Sequence, residues 1–179
     1  MDVRRAHGRV RAAPARPPRG ELSGPDRRGR GLGGGPLRMA LTQKQAHECI
    51  QRGFAEAQAL GFRVAIAVVD DAGHLVACER MDGALWVTPE IARAKANAAA
   101  AFRATTLELE ERFAKGRQLF ASNVATLGDY QFVFGRGAVP LVEGGQIVGA
   151  VGVSGAVPAD NDHTIADAAA GHPELPRSQ

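Results

Sequence analysis

The chain has 179 residues, of which 45% are hydrophobic and 23% are charged. This length is enough for one packed domain and excludes two large ones. The formal net charge of +3 is unevenly distributed, because residues 1–38 hold ten of the 22 basic residues, all arginine, and only three acidic ones. The rest of the chain carries 12 basic and 16 acidic side chains. This balance predicts that the rest of the chain forms an acidic domain, and we do not expect that domain to bind nucleic acid.

Residues 1–38 also contain five of the ten prolines and eight of the 22 glycines, with few large apolar side chains. Such a segment cannot bury enough surface to offset the entropy of ordering it, so we predict a disordered leader. It lacks the apolar core of about 7 to 15 residues that a secretory signal needs. Three interpretations stay open: a start-site extension or inert tail preceding a true start at Met39, an arginine-rich functional arm, and a targeting peptide.

The predicted domain spans residues 39–171. Thr42 and Gln45 form a capping box at the start of a first amphipathic helix, which ends near Gly61. Two strands follow, at 64–69 and 74–79, joined by a turn that favours a hairpin.

A second helix is predicted from an N-cap at Thr88 and a third across 107–113, whereas the pattern at 117–126 is ambiguous. Three further strands and a last helix are predicted at 130–134, 139–142, 146–153 and 160–170, before a loose tail at 172–179. Hairpins around central helices predict an antiparallel α+β sandwich. No apolar stretch approaches the roughly 20 residues of a membrane span, and we expect a cytoplasmic protein.

The cysteines and histidines do not form a recognisable metal-binding pattern. Cys49 and Cys78 make no CxxC pair and are interpreted as reduced core thiols. His47, His74 and His163 do not stand at a zinc-ligand spacing, so we predict no structural metal.

Arg80 and Asp82 follow the second strand, and Lys95 lies in an alanine-rich helix that can approach another surface closely. Lys95 could pair with Asp82 or attract an anionic ligand. An equal alternative is a purely structural ion-pair network of Arg80, Asp82 and Lys95. Asp82 could also serve a turn with Gly83.

Three glycines at steps of three, Gly149, Gly152 and Gly155, lie on the last predicted strand and its exit. Their spacing allows another backbone or a flat ligand to approach closely. Exposed N–H groups beyond Gly152 could bind an anion. The spacing is not that of a dinucleotide-binding loop.

Several segments match a known family in the right order: Ile66–Ala77, Arg80–Asp82, Lys95-Ala96 with Ala99, Thr105, Gly145–Gly155 and Asp162. Over roughly residues 41–170 the chain resembles the GlcG/HbpS-like family, which includes the C-terminal domain of PduO-type proteins. The resemblance implies a profilin-like fold with a five-stranded antiparallel sheet flanked by helices, and assembly as dimers or larger oligomers. Two departures stand out, Asn97-Ala98 where the family usually has x-Thr, and Gly137-Ala138 where it usually has Gly-Gly.

The resemblance also implies a small-molecule-binding accessory protein that binds haem or a related tetrapyrrole. The ligand-binding candidates are Arg80, Asp82, Lys95, Thr105, Gly152, Ser154 and Gly155. Lys95, Arg80 and Arg136 are candidate partners for propionates, and the candidate axial ligands are His47, His74 and His163.

Two alternative functions remain. One is a catabolic enzyme or enzyme partner, with Lys95, Asp82 and Thr105 in an acid–base pocket at a subunit interface. The other is a scaffold module without a ligand. A homo-oligomer is expected from the resemblance, and Leu85 and Trp86 are candidate apolar contacts for it.

Overall fold

The computed structural model describes residues 40–171, so the predicted leader and the tail at 172–179 lie outside the described part of the chain. Within that part, helices and strands alternate in the order α1 Gln43–Ala59, β1 Ala65–Asp70, β2 Leu75–Arg80, α2 Thr88–Phe102, α3 Thr106–Ala114, α4 Gln118–Val124, β3 Ala138–Glu143, β4 Gln146–Ser154 and α5 Ala159–Ala170. None of these described helices has the length and apolar character needed to cross a membrane.

The four described strands form one antiparallel sheet in the order β2-β1-β4-β3. One face of the sheet packs against α1 and α5 through large apolar side chains such as Ile50, Val151 and Ile165. The other face packs against α2, with Val69 of β1 and Ala96 of α2 in the same buried cluster. The predicted antiparallel α+β class is confirmed.

The predicted strand at 130–134 is wrong, because these residues are not part of the sheet. The alternation of aromatic residues that suggested it has another cause. The rings of Phe132 and Phe134 lie edge-on against Phe102 of α2, with centroid distances of 6.1 and 5.5 Å. Aromatic packing on a helix therefore holds this segment, and the described sheet has four strands where the resemblance implied five.

The first helix begins as predicted, with the reciprocal capping box of Thr42 and Gln45. The second differs by one residue, because Val87 is the N-cap of α2 and Thr88 is its first residue. The Thr88 hydroxyl donates to the carbonyl oxygen of Leu85 at 2.7 Å instead of capping the helix. Helix α4 occupies the segment whose pattern was ambiguous.

A row of small residues crosses the sheet beneath α2. Cys78, Ala67, Gly152 and Ala138 are neighbours on successive strands. A Cβ atom added to Gly152 would lie 2.2 Å from the carbonyl oxygen of Ala92, so the helix backbone touches the strand directly. This contact explains why α2 is rich in alanine, since larger side chains would hold the helix away from the sheet.

Candidate functional site

A buried ion pair joins the two helical layers around the end of β4. The Nζ atom of Lys95, on α2, lies 2.7 Å from Oδ2 of Asp162, on α5, and their side chains are 7% and 5% exposed. Lys95 Nζ also donates to the carbonyl oxygen of Val153 at 3.1 Å. The suggested pairing of Lys95 with Asp82 is therefore corrected, because its carboxylate partner comes from the last helix.

The surroundings of Asp162 close this pair off. Its Oδ1 atom accepts the backbone N–H of Ala156 at 2.8 Å. Burial raises the pKa of the Asp162 carboxyl above its usual value, although Lys95 and the backbone N–H groups of Ala156 and Gly155 oppose the increase. A Cβ atom added to Gly137, whose φ is +120°, would lie 2.9 Å from Lys95 Nζ and 2.7 Å from the Asp162 Cβ atom. Only glycine fits this position, and it covers the pair.

The residues at the end of β2 and just after it lie in a different environment. Arg80 is exposed and donates to the carbonyl oxygen of Ala84 at 3.3 Å. Asp82 is exposed, and its backbone carbonyl accepts from the Arg63 guanidinium at 2.9 Å. These contacts shape the loop that leads into α2 and leave the charge of Arg80 facing solvent.

The other predicted ligand-binding residues have local structural contacts. Thr105 caps α3, accepting the N–H of Glu108 at 3.1 Å while the Glu108 carboxylate accepts the N–H of Thr105 at 3.0 Å. Ser154 is buried at the end of β4, next in the chain to Val153, whose carbonyl oxygen accepts from Lys95. A Cβ atom at Gly155 would lie 2.5 Å from the carbonyl oxygen of Arg63. The space at Gly152 is filled by α2, so the close approach predicted from the glycines is that of a helix backbone.

Two of the candidate axial histidines are accessible and have carboxylate partners. His47 Nδ1, on α1, lies 2.9 Å from Glu79 Oε1 on β2, and its side chain is 48% exposed. His74 Nδ1 lies 3.2 Å from Asp70 Oδ2 in the same turn, and its side chain is 70% exposed. His163 faces inward, with Nε2 at 3.6 Å from Asp167 Oδ2 and a buried Nδ1 that has no partner among the described residues.

Arg136, the third candidate partner for propionates, already has two carboxylate partners. The Arg136 side chain contacts Asp160 on α5 and lies 3.5 Å from Glu110 on α3. Its backbone N–H also donates to Glu110 at 3.0 Å. These contacts hold the loop before β3 against α3 and α5.

Sequence reasoning missed one polar residue, Asn97, which is 4% exposed on α2. Two small cavities meet at its side chain, of about 160 and 110 Å³. The only signal in the sequence was that Asn97 precedes the alanine that replaces a family threonine.

Thiols and metal ligands add no further site within residues 40–171. Cys49 and Cys78 are both free. Burial is the largest cause of the raised pKa of each thiol, which makes both poor nucleophiles. No group of three or more metal-binding side chains in this range is arranged to hold an ion.

Comparison with known proteins adds a family to this geometry. The family model described as "Haem degrading protein HbpS-like" matches residues 41–171. The chain belongs to the HbpS-like family. Protein GlcG of Escherichia coli K12, a relative of this HbpS-like chain, is 41% identical over 119 residues, which cover 65% of the chain and 83% of GlcG.

Solved structures support the HbpS-like assignment. A double mutant of HbpS from Streptomyces reticuli superposes with a TM-score of 0.69 and 30% identity, covering 80% of this chain and 92% of HbpS. The PduOC–haem complex superposes with a TM-score of 0.66 and 28% identity, covering 79% of this chain and all of PduOC. The HbpS-like fold is therefore shared with a protein whose structure contains haem.

Proposed function

We propose that this chain binds haem or a related tetrapyrrole, with His47 as the axial ligand. Membership of the HbpS-like family and the fold shared with the PduOC–haem complex support the ligand class. The observation that carries the proposal within this chain is the contact of His47 with Glu79. A carboxylate on Nδ1 holds the imidazole in the tautomer whose Nε2 carries the free lone pair, which is the arrangement that metal-ligating histidines use.

His47 is preferred to the other two histidines on geometric grounds. Glu79 belongs to β2, so the packing of α1 against the sheet fixes the direction of the His47 ring. His74 shares a single turn with its partner Asp70 and is more exposed, which leaves its ring less restrained. His163 would have to turn its buried Nδ1 outward before reaching an iron atom.

The donor set fits a haem bound at the surface of the domain. Three cavities among the described residues have volumes of about 160, 220 and 110 Å³. Pockets that enclose drug-sized ligands are about 300 to 1,000 Å³, so none of these three encloses a porphyrin, and we place the ligand against the surface or between copies of the chain. Arg80, the exposed last residue of β2, is the candidate propionate partner whose charge faces solvent. Bound haem would supply a redox-active iron.

Hemin titration of the full-length chain tests the proposal. We expect a saturable, red-shifted Soret band in the parent protein. The spectrum of a histidine-ligated iron should disappear in His47→Ala, and Glu79→Gln should weaken binding about tenfold because the ligand loses its orienting carboxylate. His74→Ala is the matched control, an exposed imidazole with its own carboxylate, and should behave like the parent. No saturable band, or identical spectra for His47→Ala and the parent, would contradict the proposal.

We also propose that the protein is a cytoplasmic homo-oligomer. Leu85 and Trp86 are 70% and 80% exposed in the loop before α2, and adjacent exposed apolar residues favour association. Sedimentation at micromolar concentration should show a dimer or larger species, and Trp86→Ser should shift it toward the monomer. A monomeric parent would refute this assignment.

The enzyme alternative has weaker support in the structure. Lys95 Nζ donates to Asp162 and Val153, and Lys95 lines none of the three cavities described above. The backbone carbonyl of Asp82 accepts from Arg63, and the Thr105 hydroxyl caps α3. Their roles in a shared acid–base pocket remain a prediction.

A further inference from the structure

The side chain of Asn97 leaves a buried acceptor unused. Its Nδ2 atom donates to the carbonyl oxygen of Gln131 at 3.5 Å, which sets the orientation of the amide. Its Oδ1 atom is buried and has no hydrogen-bond partner among residues 40–171. Because unpaired buried oxygens destabilise a fold, one that persists at the wall of a cavity indicates a place where a ligand supplies the missing donor.

Two cavities adjoin this amide. The first, of about 160 Å³, is mainly polar and is lined by Glu90, Arg93, Ala94, Asn97, Asp129 and Gln131. The second, of about 110 Å³, is mainly apolar and is lined by Asp71, Ala72, Gly73, Asn97, Ala101, Tyr130 and Phe132. Asn97 is common to both, so its amide connects a polar compartment to an apolar one.

The unpaired oxygen lies beside Gly73, which lines the apolar compartment. A Cβ atom added to Gly73 would lie 3.5 Å from Asn97 Oδ1 and 3.1 Å from Cε1 of Tyr130. The Tyr130 ring stacks on Phe132 with 6.4 Å between centroids. Gly73, at φ +85°, therefore lets the turn lie close above the amide while the two rings form a flat wall beside it.

The lining determines what chemistry fits. An amide oxygen accepts and cannot donate, so the ligand must carry an O–H or N–H group. The two linings hold three acidic residues, Asp71, Glu90 and Asp129, and one basic residue, Arg93, which disfavours an anion. At about 30 Å³ for a water-sized group, 110 Å³ holds roughly four heavy atoms.

We propose that Asn97 anchors a second binding site, which takes a small alcohol or amine with a short alkyl chain. The donor group pairs with Asn97 Oδ1, and the alkyl chain lies against Tyr130 and Phe132. The site is far too small for a porphyrin, so it is independent of the proposed haem site. A failure of hemin to bind would not contradict this second site, and a failure of the second site to bind would not contradict the proposed haem binding.

Three probes with a three-carbon chain test the site: 1-propanol, propylamine in its protonated form, and propionate. The measurement is the backbone amide shift of Gly73 in the ¹⁵N-labelled full-length chain. We expect saturable shifts with 1-propanol and propylammonium in the millimolar range that suits so few atoms, and no saturable shift with propionate. The first two probes also show which donor, hydroxyl or ammonium, binds more tightly.

Three variants assign the binding to this amide. Asn97→Leu removes the acceptor at similar volume and should abolish the Gly73 shift. Ala101→Leu, at an exposed helical position, fills the apolar compartment and should abolish the shift while leaving the Asn97 acceptor in the chain. Asn123→Leu, on the exposed surface of α4, is the matched control and should bind like the parent.

Two results would overturn the proposal. The first is the absence of a saturable Gly73 shift in the parent up to about 100 mM of either donor probe. The second is an undiminished shift in Asn97→Leu. Equal binding of propionate would refute the assigned chemical class.

Discussion

Replacing Lys95 by methionine gives the sharpest test of the buried ion pair. Methionine keeps most of the side-chain length but removes the charge, so the Asp162 carboxylate, whose side chain is 5% exposed, would remain in the interior without its cation. Breaking a buried pair by removing one partner costs about 3 to 5 kcal/mol. We expect a loss of that size in the free energy of unfolding at pH 7.

The pH dependence of that loss distinguishes a stranded carboxylate from a simple packing defect. Burial already raises the pKa of Asp162, and without Lys95 it rises further. A carboxyl whose folded pKa exceeds its unfolded value stabilises the protein below the unfolded pKa, and that contribution is lost as the pH rises through the folded pKa. The deficit of Lys95→Met should therefore be smaller at about pH 4 than at pH 7.

Urea unfolding followed by far-UV circular dichroism measures both quantities, since Trp86 is too exposed to report on the core. Lys44→Met is the matched control, because Lys44 is 87% exposed and should change stability by less than about 0.5 kcal/mol. The double variant Lys95→Met with Asp162→Leu should recover much of the loss. A Lys95→Met deficit below about 1 kcal/mol at pH 7, or one equal at both pH values, would refute the reasoning.

Three further predictions concern single positions. Gly152→Ala should destabilise the domain by about 3 kcal/mol or more in thermal unfolding, because its new Cβ atom would collide with the carbonyl oxygen of Ala92. The control Gly135→Ala, whose new Cβ atom would have its nearest neighbour at 3.9 Å, should change thermal unfolding little. Asn97→Leu should stabilise the chain by about 1 to 2 kcal/mol in denaturant unfolding, since it removes an unpaired buried oxygen, and a clear loss would show that the amide is satisfied. Burial acts to raise the pKa of Asp70, but hydrogen bonds from the backbone and ring of His74 and the backbone of the turn hold it below its usual value. The stability that Asp70 contributes above about pH 4 should be lost on acidification. When the free energy of unfolding in urea is measured from pH 6 to 3, Asp70→Asn should therefore lose less stability than the parent. The same pH dependence in both proteins would contradict this prediction.

Local sequence signals predicted most of the fold. The capping box at Thr42 and the glycine-marked ends of hairpins follow from short-range chemistry, so the elements on either side of them were found. Residues 130–134 were wrongly predicted as a strand, because stacked aromatic rings and a paired strand give the same alternating sequence pattern. Only the three-dimensional structure shows that those rings lie on a helix.

The candidate site was less predictable, because its partners are distant in sequence. Lys95 and Asp162 are 67 residues apart, and no local pattern links them. The glycine spacing in β4 correctly indicated a close approach, but the sequence could not say whether a helix or a ligand makes it. Asn97 has no motif, since an unpaired oxygen is a property of its surroundings and not of its neighbours in the chain.

The row of small residues beneath α2 restricts where this domain can open a new pocket during evolution. New pockets are commonly opened by shortening side chains, and a core of leucine or phenylalanine offers many places to do so. Between α2 and the sheet there is almost nothing to shorten, because glycine and alanine already fill the contact. On this face of the sheet, diversification of binding is thus confined to the turns and loops that surround α2.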